Sequence, residues 1–189
     1  MGLPLDVQII GYTGAAFPRD AQLMARAFDR VYSSRRDARL LLIGYCKASI
    51  EESVSQPGSV LHTGRVTMEE LADYLAACDI GWLPLTNSGA NQGRSPLKLH
   101  DFMAAGRPVV STAVGDLTAF FQQHEVGLLA RDAPGALADV TLELLEDRDR
   151  IQAMGQRARA LAETELSWSP VADRLEAFYR SLLGILSIA

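Results

Sequence analysis

The chain has 189 residues, 48% of them hydrophobic and 22% charged, with a net charge of −5, which is the profile of a globular domain able to bury one substantial core. The acidic balance excludes a large basic footprint for nucleic acid, and no apolar run approaches the roughly 18 residues needed for a transmembrane segment. The opening "MGLPLDVQII" lacks the charged start and long apolar centre of a secretory signal, and two cysteines, Cys46 and Cys78, make no disulfide framework. A reduced, cytoplasmic setting is therefore expected, with both thiols as small core residues.

Residues 7–12 read as a buried strand, and 13–20, with a glycine and a proline, as a loop. From Asp20 a helical pattern begins, its apolar face marked by Leu23, Ala27 and Val31. Strands are expected at 39–44 and 59–64. Thr67 then caps a helix, and Glu70 completes a capping box. Residues 79–85 read as a strand, 86–93 as a polar loop, and 94–106 as a capped helix stopped by a glycine. Strands at 107–112 and 126–130 follow, and everything beyond Ala133 is helical, over about 133–146, 147–163 and from Ser169.

Strands alternating with helices, and strands that are nearly continuous apolar runs, predict an α/β fold: a doubly wound parallel sheet, Rossmann-like, of about six strands with a helical tail. Such sheets bind ligands outside the carboxyl ends of their strands, near the point where strand order reverses. The loops after the strands therefore hold the candidate site.

The segment "RSPLKLHDFMAAGRPVV" carries the most chemistry. Ser95 reads as an N-cap with Pro96 at the first helical position, and the free amides of the first turn make an anion site. At about 100° per residue, Lys98, Asp101 and Ala105 share one side, while Leu99, Phe102, Met103 and Gly106 share the side that packs on the sheet. Arg94 precedes the cap. Cations and amides at one end, with a carboxylate one turn deeper, suit a nucleotide diphosphate: Arg94 and Lys98 on phosphate oxygens, Asp101 accepting from ribose hydroxyls. The plainer alternative is an i,i+3 surface pair of Lys98 and Asp101.

"SPLKLHDFMAAGRPVVST" resembles the donor-site segment of GT-B retaining glycosyltransferases of group 1 (GT4). The likeness extends over nearly the whole chain: "IIGYTGAAFPRD" to the first strand and glycine loop, "ARLLLIG" to the second strand, "VLHTGRVTMEELADYLAACDIGWLPL" to the segment before the donor loop. "LSWSPVADRLEAFY" is similar to the closing helix that, in the family, crosses to the other domain. The resemblance implies a single donor-binding domain over 1–189, with 165–189 as the closing helix and the N-terminal acceptor domain absent. It implies a nucleotide-sugar donor, sugar transfer with retention, no metal and no cofactor. Peripheral membrane contact would then run through the absent domain.

Carried over residue by residue, the glutamate near the ribose falls on Asp101 and the glutamate near the sugar ring on Gly93, a departure. The phosphate-binding lysine of the first loop falls on Arg19, which adds bidentate reach. The arginine after the first strand falls on Tyr12, so one phosphate cation is lost and Arg94 is the residue that would compensate. Gly64, Arg65 and Val66 match the turn whose backbone reads the base, and Gly14 permits close approach to phosphate. Arg19 and Lys98 would stabilise the leaving diphosphate. Asn87 and Asn91 could meet sugar hydroxyls or serve turn geometry.

The remaining candidates read as structural. The three histidines form no metal spacing: His62 falls in a strand and reads as core, His100 points away from Lys98 and Asp101, and His124 reads as surface. Trp82 reads as core and Trp168 as the residue packing the closing helix down. A GT-B epimerase would need acids and histidines that "TNSGANQG" lacks. The alternative function is a degenerate nucleotide-sugar-binding or interaction module without catalysis, and Gly93 is its best support.

Overall fold

Strand and helix alternate along the chain, and the computed structural model of the protein describes residues 2–4, 6–45 and 50–184. Six strands form one parallel sheet: β1 (Gln8–Thr13), β2 (Ala38–Ile43), β3 (Val60–His62), β4 (Ile80–Leu83), β5 (Val109–Thr112) and β6 (Gly127–Ala130). Their spatial order is β3-β2-β1-β4-β5-β6, so the order reverses between β1 and β4. β1 and β2 pair from Gln8 with Ala38 through Thr13 with Ile43, and β1 meets β4 at Ile10 with Ile80. The expected doubly wound α/β sheet is the one observed.

The strands read as apolar runs because both of their faces are covered. On one face α1 (Pro18–Ser34) and α6 (Pro134–Leu145) bury Met24, Phe28 and Leu137 against Ile10, Leu42 and Trp82. Trp82 is fully buried, meets Phe28 edge-on at 6.4 Å, and donates its indole N–H to Thr141 Oγ1 at 2.9 Å. That settles it as core. On the other face α4 (Leu97–Ala104) lays Leu99, Phe102 and Met103 over Ile9, Leu41 and Val109. Phe102 can approach this closely because Gly11 and Gly81 expose bare backbone beneath it. A Cβ at Gly81 would stand 2.4 Å from the ring.

The helix α2 (Met68–Ala76) opens with the expected capping box, Glu70 N–H to Thr67 Oγ1 at 3.2 Å and Thr67 N–H to Glu70 Oε2 at 2.7 Å. The remaining helices are α3 (Gly89–Gln92), α5 (Leu117–His124), α7 (Arg148–Thr164) and α8 (Trp168–Leu182). The helix α1 starts at Pro18, not at Asp20, because proline suits a first helical position. The polar loop at 86–93 contains α3, nucleated by Ser88 Oγ accepting the Asn91 N–H at 3.3 Å.

Two structural readings are corrected. Trp168 does not pack the last helix down: it is 88% exposed, and no residue of α8 is buried, since α1, α4, α6 and α7 already cover both faces of the sheet. His62 is exposed rather than core, because β3 is the edge strand and its last residue turns outward, 3.1 Å from Glu51 Oε2. Cys78 is core, its thiol pushed up to about 12 chiefly by burial, with Arg107 pulling the other way. Cys46 lies outside the described residues.

Candidate functional site

The carboxyl ends of β1 and β2 and the amino end of α4 enclose a cleft of about 510 Å³. It lies beside the reversal of strand order, where doubly wound sheets take their ligands. Gly14, Val66, Arg94, Ser95, Lys98 and Asp101 line it together. Arg19 is exposed on the first turn of α1 and lines a neighbouring pocket of about 370 Å³ with Phe17, Thr86 and Asn91. Gly64 and Arg65 border neither space.

Local geometry explains the loops. Gly14 takes φ +66° as the chain leaves β1, and its N–H reaches Ile43 O at 3.0 Å, so the first loop turns sharply across the end of β2. Gly44 and Gly64 form an antiparallel bridge, both at positive φ, and Gly44 N–H donates to Thr63 Oγ1 at 3.0 Å. This clip sets Val66 at the edge of the cleft, with Arg65 exposed beside it.

The start of α4 differs from expectation. Pro96 stays extended at ψ 118° and itself takes the N-cap position, so the helix begins at Leu97 and Ser95 makes no capping bond. Ser95 is instead an exposed residue on the cleft wall. The far end follows the glycine stop: Gly106 sits at φ +68°, Gly106 N–H reaches Met103 O and Arg107 N–H reaches Phe102 O, both at 2.9 Å. These paired bonds close the last turn and aim the chain into β5.

Lys98 is held in place. Its ammonium donates to the Tyr12 hydroxyl at 2.8 Å and to Ala15 O at 3.3 Å, and stands 4.0 Å from the centre of the Tyr12 ring. The Tyr12 hydroxyl in turn donates to Ala15 O at 3.0 Å. Tyr12 is thus more than a lost cation: buried in β1, it moors the lysine of α4 to the first loop. A cation over an aromatic face with a hydroxyl beside it is fixed at modest cost to its charge.

Asp101, one turn further along, is partly buried. Burial raises its carboxyl above the ordinary range, while His100 and Lys98 pull it back down. His100 turns the other way, into a small hollow with Asp116 and Phe120. His124 stacks on Phe120 at 4.8 Å.

Arg94 is anchored three ways. It donates to Asn91 Oδ1 at 2.9 Å, lies 3.8 Å from Asp20 Oδ2, and stands 4.9 Å over the Phe17 ring. Asn91, a candidate for sugar hydroxyls, is buried and spends its amide on Asp20 and on Thr86 O at 2.8 Å, so it serves the loop's geometry. Asn87 is exposed and accepts from Gln92 at 2.9 Å. Asp20 is the residue that sequence reasoning passed over, because an acid in a first helical turn reads as a partner of the helix dipole. Among the described residues no group of three or more His, Cys, Asp or Glu side chains gathers as a metal site would.

A six-stranded parallel sheet in this order, with its open cleft at the strand ends, is a Rossmann-like fold. Sucrose-phosphate synthase from Thermosynechococcus elongatus superposes with a TM-score of 0.77 at 23% identity, over 97% of this chain and 47% of that one. The C-terminal domain of the group 1 glycosyl transferase LpcC from Francisella tularensis superposes with a TM-score of 0.70 at 19% identity, over 86% of this chain and 87% of that one. Residues 7–147 match the family model described as glycosyl transferases group 1, and the chain belongs to that family. It is 28% identical over 190 residues to the GDP-mannose-dependent monoacylated alpha-(1-6)-phosphatidylinositol monomannoside mannosyltransferase of Corynebacterium glutamicum, covering 96% of this chain and 49% of that protein. The chain thus spans about half the length of that relative.

Proposed function

We propose that this chain is the donor-binding half of a retaining, metal-independent glycosyltransferase, and that its cleft takes a nucleotide diphosphate sugar. The observation that carries this reading is Lys98, moored by Tyr12 at the amino end of α4, with Asp101 one turn below it in the same cleft. Sugar transfer builds negative charge on the departing diphosphate. Preorganised cations and helix-end amides stabilise that charge without reorganising. Lys98 and Arg94 supply the cations, and Asp101 accepts from the ribose hydroxyls. Val66, at the cleft edge, meets the base, with Gly64 and Arg65 shaping the turn behind it, and Gly14 lets the first loop approach phosphate. Arg19, on the far side of Arg94, reaches a phosphate only if the donor extends into the neighbouring pocket.

The acceptor site then belongs to a second domain, and the exposed apolar side of α8 (Leu175, Phe178 and Leu182) is the surface that meets it. No described helix is long and apolar enough to cross a membrane. On this reading the whole protein works in the cytoplasm, with its nucleotide-sugar donor.

Calorimetric titration of GDP, UDP and ADP tests the reading, GDP leading because of the corynebacterial relative's name. One of them is expected to bind, and Lys98→Ala to weaken it about tenfold, the loss of one charge-assisted contact. A chelator should leave affinity unchanged. The isolated chain should transfer no radiolabelled sugar. Flat titrations for all three would sink the proposal.

A second reading, a nucleotide-sugar module without catalysis, is favoured by Gly93. Its φ is −92° and nothing lies within 4 Å of where its Cβ would stand, so neither backbone nor space demands glycine where the family keeps a carboxylate. Transfer activity in the whole protein would exclude it.

A further inference from the structure

Asp20 is 2% exposed, and its two carboxylate oxygens divide their partners. Oδ1 accepts the Thr86 N–H at 2.8 Å, the Thr86 hydroxyl at 2.7 Å and the Asn91 amide at 3.1 Å. Oδ2 faces Arg94 Nη1 at 3.8 Å and the Asn91 amide at 3.4 Å. Asn91 turns its own carbonyl to Arg94 at 2.9 Å. The loop between β4 and α4 therefore wraps a buried acid, and its last anchored side chain is the guanidinium on the cleft wall.

Holding the loop does not require a charge. The three donors on Oδ1 are neutral, and an asparagine carbonyl in the same place would still accept them, though more weakly. Burying a carboxylate is costly unless a cation answers it. Among the described residues the cation paired with Asp20 is Arg94, which also lines the cleft that holds Lys98 and Asp101. Arg94 also stands over the Phe17 ring, itself exposed. The charge of Asp20 thus strengthens its bonds to the loop and, beyond them, faces the Arg94 guanidinium.

We propose that Asp20 is a positioning residue: its Oδ2, with the Asn91 side chain as a bridge, holds the Arg94 guanidinium at the mouth of the cleft, where it meets the diphosphate of the donor. This rests on the donor-site reading above. Asp20 touches no ligand itself. It acts through Arg94, and the two should behave as one unit.

The test is a double-mutant cycle on nucleoside diphosphate affinity, with melting temperature followed in parallel. Asp20→Asn keeps an acceptor for Thr86 but turns an amide N–H toward Arg94 and Asn91, setting donors against donors. Expected is a melting temperature within a few degrees of the parent, and a Kd weakened about as much as by Arg94→Ala, roughly five- to tenfold for one charge-assisted contact. The double variant should bind no more weakly than Arg94→Ala alone, which a purely structural anchor would not produce. Additive losses, or an undiminished affinity in Asp20→Asn while Lys98→Ala still weakens binding, would overturn the positioning role and leave the donor-site reading standing. A parent chain that binds none of GDP, UDP and ADP overturns both. If Asp20→Asn fails to fold, Asn91→Ala decides: Thr86 still binds Asp20 there. A loss of affinity that vanishes in the Arg94→Ala background supports the role, and unchanged affinity overturns it.

Discussion

Helices α4 and α8 both carry apolar stripes at helical spacing, and they meet opposite fates. The eight-residue α4 buries Leu99, Phe102 and Met103 at 3% exposure or less. The fifteen-residue α8 buries nothing, and Leu175, Phe178, Tyr179 and Leu182 are each more than half exposed. What separates them is the surface on offer. Under α4 the sheet supplies two glycines, Gly11 and Gly81, where a ring can lie on the backbone. By α8 both faces of the sheet are already covered, by α1 and α6 on one side and α4 and α7 on the other. An amphipathic stripe is a demand for a partner, and the fold meets that demand at one end of the chain only.

The sharpest way to break this contrast is to take away the contact that makes α4 a fixed wall. Phe102→Ala should cost about 3–5 kcal/mol, because a fully buried ring leaves a cavity that glycines cannot refill. A urea titration measures it. Gly81→Ala attacks the same contact from below and should cost about 1–3 kcal/mol by overpacking, with the ring pushed off its rotamer. Both variants tilt the helix that carries Lys98 and Asp101, so nucleotide affinity should fall alongside stability. Cys78 reports on the same wall. Its Sγ would stand 2.4 Å from a Cβ at Gly11, and its thiol is pushed up to about 12. Iodoacetamide at pH 8 should leave it unmodified until the fold opens.

The contrast also separates what the sequence reveals from what it conceals. Rules that act over a few residues were legible: the Thr67–Glu70 capping box, the glycine stop at Gly106, the face of α4 that packs on the sheet, and Trp82 in a central strand. Readings that depend on distant partners were not. Asn91 stood open between a sugar contact and turn geometry because its partner, Asp20, lies 71 residues away in sequence. Tyr12 looked like a missing charge because nothing local says that Lys98 will reach its hydroxyl across 86 residues. Trp168 and His62 were misplaced for one reason. Composition says that a side chain is apolar or sits in a strand, but not that both sheet faces are already covered or that the strand is at the sheet's edge. The shift from Ser95 to Pro96 as cap is smaller: a proline is compatible with either position, and its ψ decides.

At the polar end of α4 the contrast can be sharpened by pH. Burial raises the Asp101 carboxyl, so the folded chain holds that proton more tightly than the unfolded chain does. Stability gained from the proton is fully present below the ordinary carboxylate value of about 3.9 and is lost as pH rises through the higher folded value. Asp101→Asn removes this dependence. The stability difference between the variant and the parent should grow in the variant's favour as pH rises through that window, by an amount well below the Phe102→Ala loss because Asp101 is partly solvated. Parallel stability curves for the two chains would contradict the assignment.

The smallest effect belongs to α8, and its smallness is the point. Phe178 is 56% exposed and packs in no core, so Phe178→Ser should shift the stability of this chain by no more than about 0.5 kcal/mol. The same chemistry at Phe102 is expected to cost several times more. A destabilisation at Phe178 comparable to a core truncation would mean that the helix folds back on the sheet in solution, and α8 would no longer be a surface open to a second domain. A null effect leaves the stripe without a partner in this chain. The decisive extension is the complete protein: if a second domain covers α8 there, the substitution that was silent here should become destabilising by about 1–3 kcal/mol, the worth of one aromatic side chain moved from water into an interface.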